Sequence, residues 1–181
     1  MPISVRTAST FDVDAIVEVF LGCWRVSYAA VLPPRLVAAM TDEEADALWT
    51  RVLGEDAGSA VLVAESGVPG GTLLGVARLA VDEGAAGLVH SLYVAPSAQG
   101  RGVGSLLLAA ACDALRSAGS LTAHLWVFKD NAPSIAFYRQ HGWLPDGQTR
   151  IEAAFGEPEI RLTTILARTP SAAEASREAK G

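Results

Sequence analysis

The chain has 181 residues, and at roughly 100–200 residues per domain this length favours one folded unit over two. Half the residues are hydrophobic, 32 of them alanine and 59 larger apolar side chains, enough for one filled core and too many for an intrinsically disordered chain. With 14 Lys and Arg against 20 Asp and Glu, the net charge of −6 lacks the basic footprint of a general nucleic-acid binder.

Ile3–Thr7 predicts a short strand, and Ser9-Thr10 can cap a helix behind it. Val13, Ile16, Val17, Phe20, Trp24 and Ser27 recur at three- and four-residue spacing, which predicts an amphipathic helix that Pro33-Pro34 interrupts. Thr41-x-x-Glu44 is a capping box, followed by the apolar stripe Ala45, Leu48, Trp49, Val52. Ala60–Glu65 and Thr72–Val81 are β-rich runs separated by a Gly- and Pro-containing turn, and Leu88–Val94 follows as a third strand. Arg101–Ala118 is the most regular helix, with Val103, Leu106, Leu107, Ala110, Ala111, Ala114, Leu115 and Ala118 on one face and Gly119 at its end. Leu121–Val127 predicts a strand, and Ala132–His141 a helix opened by Asn131 and closed by Gly142. Arg150–Phe155 and Glu159–Ala167 predict a last hairpin. This order predicts an α+β domain over 1–167, a mixed sheet with helices on its faces, with a flexible polar tail over 168–181.

The apolar run Val103–Cys112 is ten residues, about half a membrane span, and the first residues do not read as a secretory signal. Cys23 and Cys112 lack ligand or redox spacing, so two thiols in a reducing cytoplasm, with no metal, are expected.

The segment that carries chemistry is Ser91 to Leu108, where a strand ends near Val94, Pro96 breaks it, and Gly100, Gly102 and Gly104 lead into the strongest helix. Successive backbone N–H groups at a helix N-terminus can hold a phosphate with little cationic help. A P-loop would need a lysine before Ser105, and a dinucleotide fold would need its glycines directly off the strand and an acid about 20 residues on; neither is present.

Gln99-x-x-Gly102-x-Gly104, after Leu92-Tyr93-Val94 and before a long helix, resembles the acyl-CoA-binding motif of the GCN5-related N-acetyltransferases. Asn131-x-x-Ser134-x-x-Phe137-Tyr138-x-x-x-Gly142-Trp143 resembles a later helix of that family, and the element order resembles its fold. The resemblance implies a mostly antiparallel sheet splayed between its fourth and fifth strands. It also implies transfer of acetyl from acetyl-CoA to a primary amine of a small molecule, by direct attack in a ternary complex. A peptide or protein amine, or a CoA-binding sensor without catalysis, are the alternatives.

By the same resemblance, backbone groups of Leu92, Tyr93 and Val94 pair with the pantetheine arm. The N–H groups of Gln99, Gly100, Arg101, Gly102, Val103, Gly104 and Ser105 hold the pyrophosphate, with Arg101 placed to touch the phosphates. Asn131 fixes the arm near the sulfur, and Tyr138 protonates the leaving thiolate. The glutamate that many members carry on the fourth strand is Leu88 here. His90, of the same strand parity, is the expected base, with His124 or a chain of waters as the alternatives. Trp24 and Tyr28 are expected to wall the acceptor pocket, and Asp146 and Glu152 to face a cationic amine. Residues 1–83 carry twelve acids and five bases, which favours cationic acceptors at long range. The expected partners are a small-molecule amine and, in a homodimer, a second copy of the chain; nucleic acid and membrane are not expected.

Overall fold

Strands with apolar side chains on both faces need cover on both faces. In β2 (Ser59–Ser66), Leu62 and Ala64 join one buried cluster while Val61 and Val63 join another. The computed structural model, which describes residues 2–54, 59–67 and 70–166, accordingly places helices on both sides of one sheet. The tail expected over 168–181 lies outside the described residues.

The sheet contains β1 (Ile3–Thr7), β2, β3 (Leu73–Val81), β4 (Gly87–Val94), β5 (Thr122–Phe128), β6 (Leu144–Ile151) and β7 (Pro158–Ile165), in the order β1-β2-β3-β4-β5-β7-β6. All neighbours are antiparallel except β4 and β5, which are joined by the crossover helix α4 (Val103–Ser117). One face packs on α4 and on α5 (Ala132–Gln140), around Leu107, Leu125, Leu162 and Trp143. The other packs on α1 (Val13–Val26) and α3 (Asp42–Gly54), around Ile16, Phe20, Trp24, Trp49 and Val76. Among the described residues no helix is long and apolar enough to cross a membrane.

The capping box of α3 is formed: Glu44 N donates to Thr41 Oγ1 at 3.2 Å, and Thr41 N donates to the Glu44 carboxylate at 3.2 Å. Three local expectations change. Pro33 and Pro34 do not merely interrupt; they start the short helix α2 (Pro34–Ala39), because proline at the first helical position is already set for it. On α4, Leu106 is 44% exposed while Leu108 is buried. The two flank the Val103–Leu107–Ala111–Leu115 stripe symmetrically, and only the Leu108 flank meets the core. The closing hairpin begins earlier than expected, at Leu144: Pro145 still pairs with Leu162, and Asp146, Gly147 and Gln148 form an irregularity of the exposed edge strand before Thr149 resumes the ladder opposite Ile160.

Beside β1, Arg6 donates to Asp12 at 2.8 and 2.9 Å and to Glu65 at 3.1 Å. The hydrogen bonds from Arg6 are the largest influence on Asp12 and lower its pKa from 3.8 to about 2. A carboxylate depressed in this way stabilises the fold above its unfolded pKa, and the contribution disappears as pH falls through the folded value. Asp12→Asn is therefore expected to cost on the order of 2 kcal/mol near neutral pH and almost nothing near pH 2. Urea denaturation at both pH values checks this.

Candidate active site

The parallel ladder between β4 and β5 pairs Gly87 with Ala123, Leu88 with His124 and Val89 with Leu125, and ends there. Beyond it β4 continues against β3 to Val94, and β5 continues against β7 to Phe128. The register of β4 slips at the same point: Arg78 faces Ser91 while Leu79 faces Val89, so His90 is the extra residue of a bulge. A bulge bends its strand and increases the local twist. The outer edge of β4 from His90 to Val94 is thus left without a strand partner.

Two clefts open at this parting. The larger, of about 690 Å³, runs between the end of α1, the end of β4, the first turn of α4 and α5. The smaller, of about 270 Å³, lies between β4, β5 and the β6–β7 hairpin, with Trp24 of α1 on its wall. They share Tyr28, Leu92, Tyr93, Asn131, Ser134 and Tyr138.

The larger cleft contains the glycine-rich turn. Gly102 is the N-cap of α4 with φ +81°, a left-handed conformation that L side chains rarely adopt, and a Cβ there would meet no protein atom within 4 Å. The first intrahelical bond of α4 is from Leu106 N to Gly102 O at 3.0 Å, which leaves the N–H groups of Val103, Gly104 and Ser105 without intrahelical partners. At Gly104 the constraint is close approach, because a Cβ would lie 3.2 Å from the Phe137 ring of α5.

Side chains tie this turn to its neighbours. Gln99 Nε2 donates to Ser27 Oγ at 3.0 Å and to Val94 O at 3.2 Å, and the Cys23 thiol donates to the same carbonyl at 3.0 Å. His141 joins α5 to α4, with Nδ1 2.8 Å from Phe137 O and Nε2 2.9 Å from Ser105 Oγ. Because a carbonyl only accepts, Nδ1 carries the proton, and in the neutral ring Nε2 accepts from the serine hydroxyl. Asn131 uses Oδ1 to cap α5, accepting from Ser134 N at 3.2 Å, while its side-chain amide nitrogen makes no hydrogen bond to a described residue.

Burial dominates the electrostatics. It pushes the phenol pKa values of Tyr138, Tyr93 and Tyr28 above the ordinary value, so all three stay protonated at neutral pH. It also raises the Cys23 thiol to about 11. His90 is exposed as a residue, yet partial desolvation of its ring, followed by the positive fields of Arg78, His124 and Arg150, lowers its pKa from 6.5 and favours the neutral imidazole. Glu159, 6% exposed, is raised by burial against the opposing hydrogen bond from Arg150.

The structure brings most residues singled out above to these clefts: Val94, Gln99, Gly100, Gly102, Val103, Gly104 and Ser105 to the larger, and His90, Trp24 and Glu152 to the smaller, with Tyr28, Leu92, Tyr93, Asn131 and Tyr138 in both. Arg101 is exposed within the same turn. Two others are committed elsewhere. Asp146 is held by Arg161 at 2.7 Å, and His124 Nδ1 lies 3.7 Å from Asp82. Glu159, Arg150, Phe155 and His141 were not singled out from the sequence. Glu159 alternates with Ile160 and so places itself on the polar face of β7, but which helix overlies that face has no local signal.

A family model described as the acetyltransferase (GNAT) family matches residues 14–143. Among proteins similar in sequence is the mycothiol acetyltransferase of Beutenbergia cavernae, 38% identical over 88 residues, which are 49% of this chain and 29% of that protein. The mycothiol acetyltransferase of Clavibacter sepedonicus is 44% identical over 70 residues, which are 39% of this chain and 23% of that protein. The matches thus span about a quarter of those relatives. Among solved structures, PaiA N-acetyltransferase from Thermoplasma acidophilum in complex with coenzyme A superposes with a TM-score of 0.70 at 20% identity, covering 89% of this chain and 98% of that one. The splayed mixed sheet, the helix-terminal turn and the family match agree: the chain belongs to the GNAT acetyltransferase family.

Proposed function

We propose that the protein transfers the acetyl group of acetyl-CoA directly to a primary amine of a small molecule in the cytoplasm. The observation that carries this is the meeting of two clefts at the parting of β4 and β5. A thioester arriving along one and an amine along the other would meet beside Tyr138 and Asn131.

The larger cleft fits coenzyme A. The N–H groups of Val103, Gly104 and Ser105, which lack partners within the helix, would receive the pyrophosphate, with Gln99, Gly100, Arg101 and Gly102 shaping the turn around it. The unpaired edge at Leu92, Tyr93 and Val94 would pair with the pantetheine arm, and the Asn131 amide would hold that arm near the sulfur.

Tyr138 would give its proton to the departing sulfur. A phenol whose pKa is raised is a weak acid. The same surroundings raise the Cys23 thiol to about 11, and a thiolate released into this cleft would be strengthened as a base in the same way. Burial therefore acts on donor and acceptor together and leaves their mismatch modest.

His90 would take the proton of the attacking amine. A base must be neutral to act, so kcat/KM is expected to fall as pH drops through the depressed pKa of His90, below 6.5. His90→Gln is expected to lower kcat/KM by roughly tenfold to a hundredfold and to remove this acid limb. Superimposable pH profiles of the two proteins would assign the proton to a chain of waters.

The overall reading is tested by thiol release from acetyl-CoA across a panel of amines. Amine-dependent release is expected. Binding of acetyl-CoA without release for any amine would favour a sensor, and absence of binding would overturn both.

A further inference from the structure

We infer that the smaller cleft selects acceptors carrying a second positive charge besides the reacting amine, and that Glu159 is the residue that selects them. This rests on the acetyl-transfer reading and adds the class of acceptor.

The described residues hold three buried carboxylates, Asp12, Glu65 and Glu159. Asp12 and Glu65 are both paired with Arg6 and line neither cleft of the site. Glu159 differs. It stands on β7 opposite Phe128 of β5, and it lines the smaller cleft. Its one hydrogen-bond partner among the described residues is Arg150, whose Nε reaches a single carboxylate oxygen at 2.7 Å. Arg150 lies over the Trp126 ring, 4.4 Å from its centroid, and its side chain is 46% exposed. Arg150, which also lines the cleft, thus lies against that ring and solvent and engages one carboxylate oxygen only, so the second oxygen of Glu159 can meet a ligand.

The walls fit an alkylammonium. Trp24 stacks within 5.2 Å of both Tyr28 and Phe155, and all three rings line the cleft. The indole Nε1 of Trp24 is buried without a hydrogen-bond partner among the described residues. Glu152, whose carboxylate accepts from Phe155 N at 3.1 Å in the hairpin turn, adds a second negative charge on the same cleft. Aromatic faces beside carboxylates attract a cation on a short carbon chain. A volume of about 270 Å³ admits only a small one.

The charge that Glu159 holds is not that of the reacting nitrogen. A neighbouring carboxylate stabilises the protonated form of an amine and so opposes its attack. The reacting amine instead belongs at the residues shared by the two clefts, with the second cation on Glu159.

The test compares putrescine and cadaverine with the matching aminobutanol and aminopentanol, whose far end is neutral, by thiol release from acetyl-CoA. Wild-type protein is expected to favour the diamines by about tenfold or more in kcat/KM, the difference residing in KM. Glu159→Gln is expected to abolish that preference and Glu159→Asp to retain part of it. Acetyl-CoA affinity by calorimetry is expected to be unchanged in both, which also shows that they fold. Amino alcohols used as well as diamines by wild type, or a preference that survives in Glu159→Gln, would overturn the charge selection alone. No release with these amines or with the wider panel would overturn the transfer reading as well.

Discussion

Tyr138→Phe is expected to lower kcat by roughly a hundredfold or more while leaving acetyl-CoA affinity within about twofold. The ring fills the core between Phe137 and Trp143, at centroid distances of 5.2 and 6.2 Å, and phenylalanine preserves that packing. Only the hydroxyl is lost. Tyr138 is 8% exposed and belongs to both clefts, so the missing proton donor cannot be replaced readily by bulk water. Single-turnover measurement of thiol release, beside calorimetry with CoA, separates the chemical step from binding. Unchanged turnover would remove Tyr138 from its proposed role.

Gly102→Arg is expected to weaken acetyl-CoA binding by roughly a hundredfold or more, because charge-assisted hydrogen bonds of about 1.5–3 kcal/mol each depend on the approach to the first turn of α4. The substitution acts twice. An L side chain at φ +81° costs on the order of 1–2 kcal/mol. The side chain also projects into open space, with no protein atom within 4 Å of the Cβ, beside the N–H groups of Val103, Gly104 and Ser105 that are proposed to receive the phosphate. Gly102→Ala shares the strain and little of the obstruction, so the difference between the two variants in calorimetric affinity measures the obstruction. Retained affinity in Gly102→Arg would place the phosphate site elsewhere.

The elements and the glycine-rich turn at the start of α4 were legible in the sequence because their causes are local. Periodicity gave α1 and α4, Thr41 and Glu44 marked the start of α3, and Asn131 marked that of α5. Gln99, Gly102 and Gly104 define a turn and a helix N-terminus within six residues of one another, so neighbours in sequence are neighbours in space. Local rules failed where two outcomes were equivalent along one element, as for Leu106 and Leu108 on the flanks of one stripe, or where a strand carried turn residues at an exposed edge, as in β6.

The smaller cleft, the proposed acceptor side, was decided only by the tertiary structure. The smaller cleft draws Trp24 from α1, His90 from the bulge of β4, Tyr138 from α5 and Glu159 from β7, residues up to 135 positions apart. Whether Glu159 meets water or an aromatic wall depends on Trp24 of α1 and Phe155 of the closing hairpin lining the same cleft. Whether Asp146 faces an amine or an arginine depends on the pairing of β6 with β7. The sequence alone determined the helix terminus that would hold a phosphate, because the few residues that build it are consecutive. The folded chain decided which carboxylate is buried in the smaller cleft, because burial is set by the elements that close over a residue and not by its neighbours in the chain.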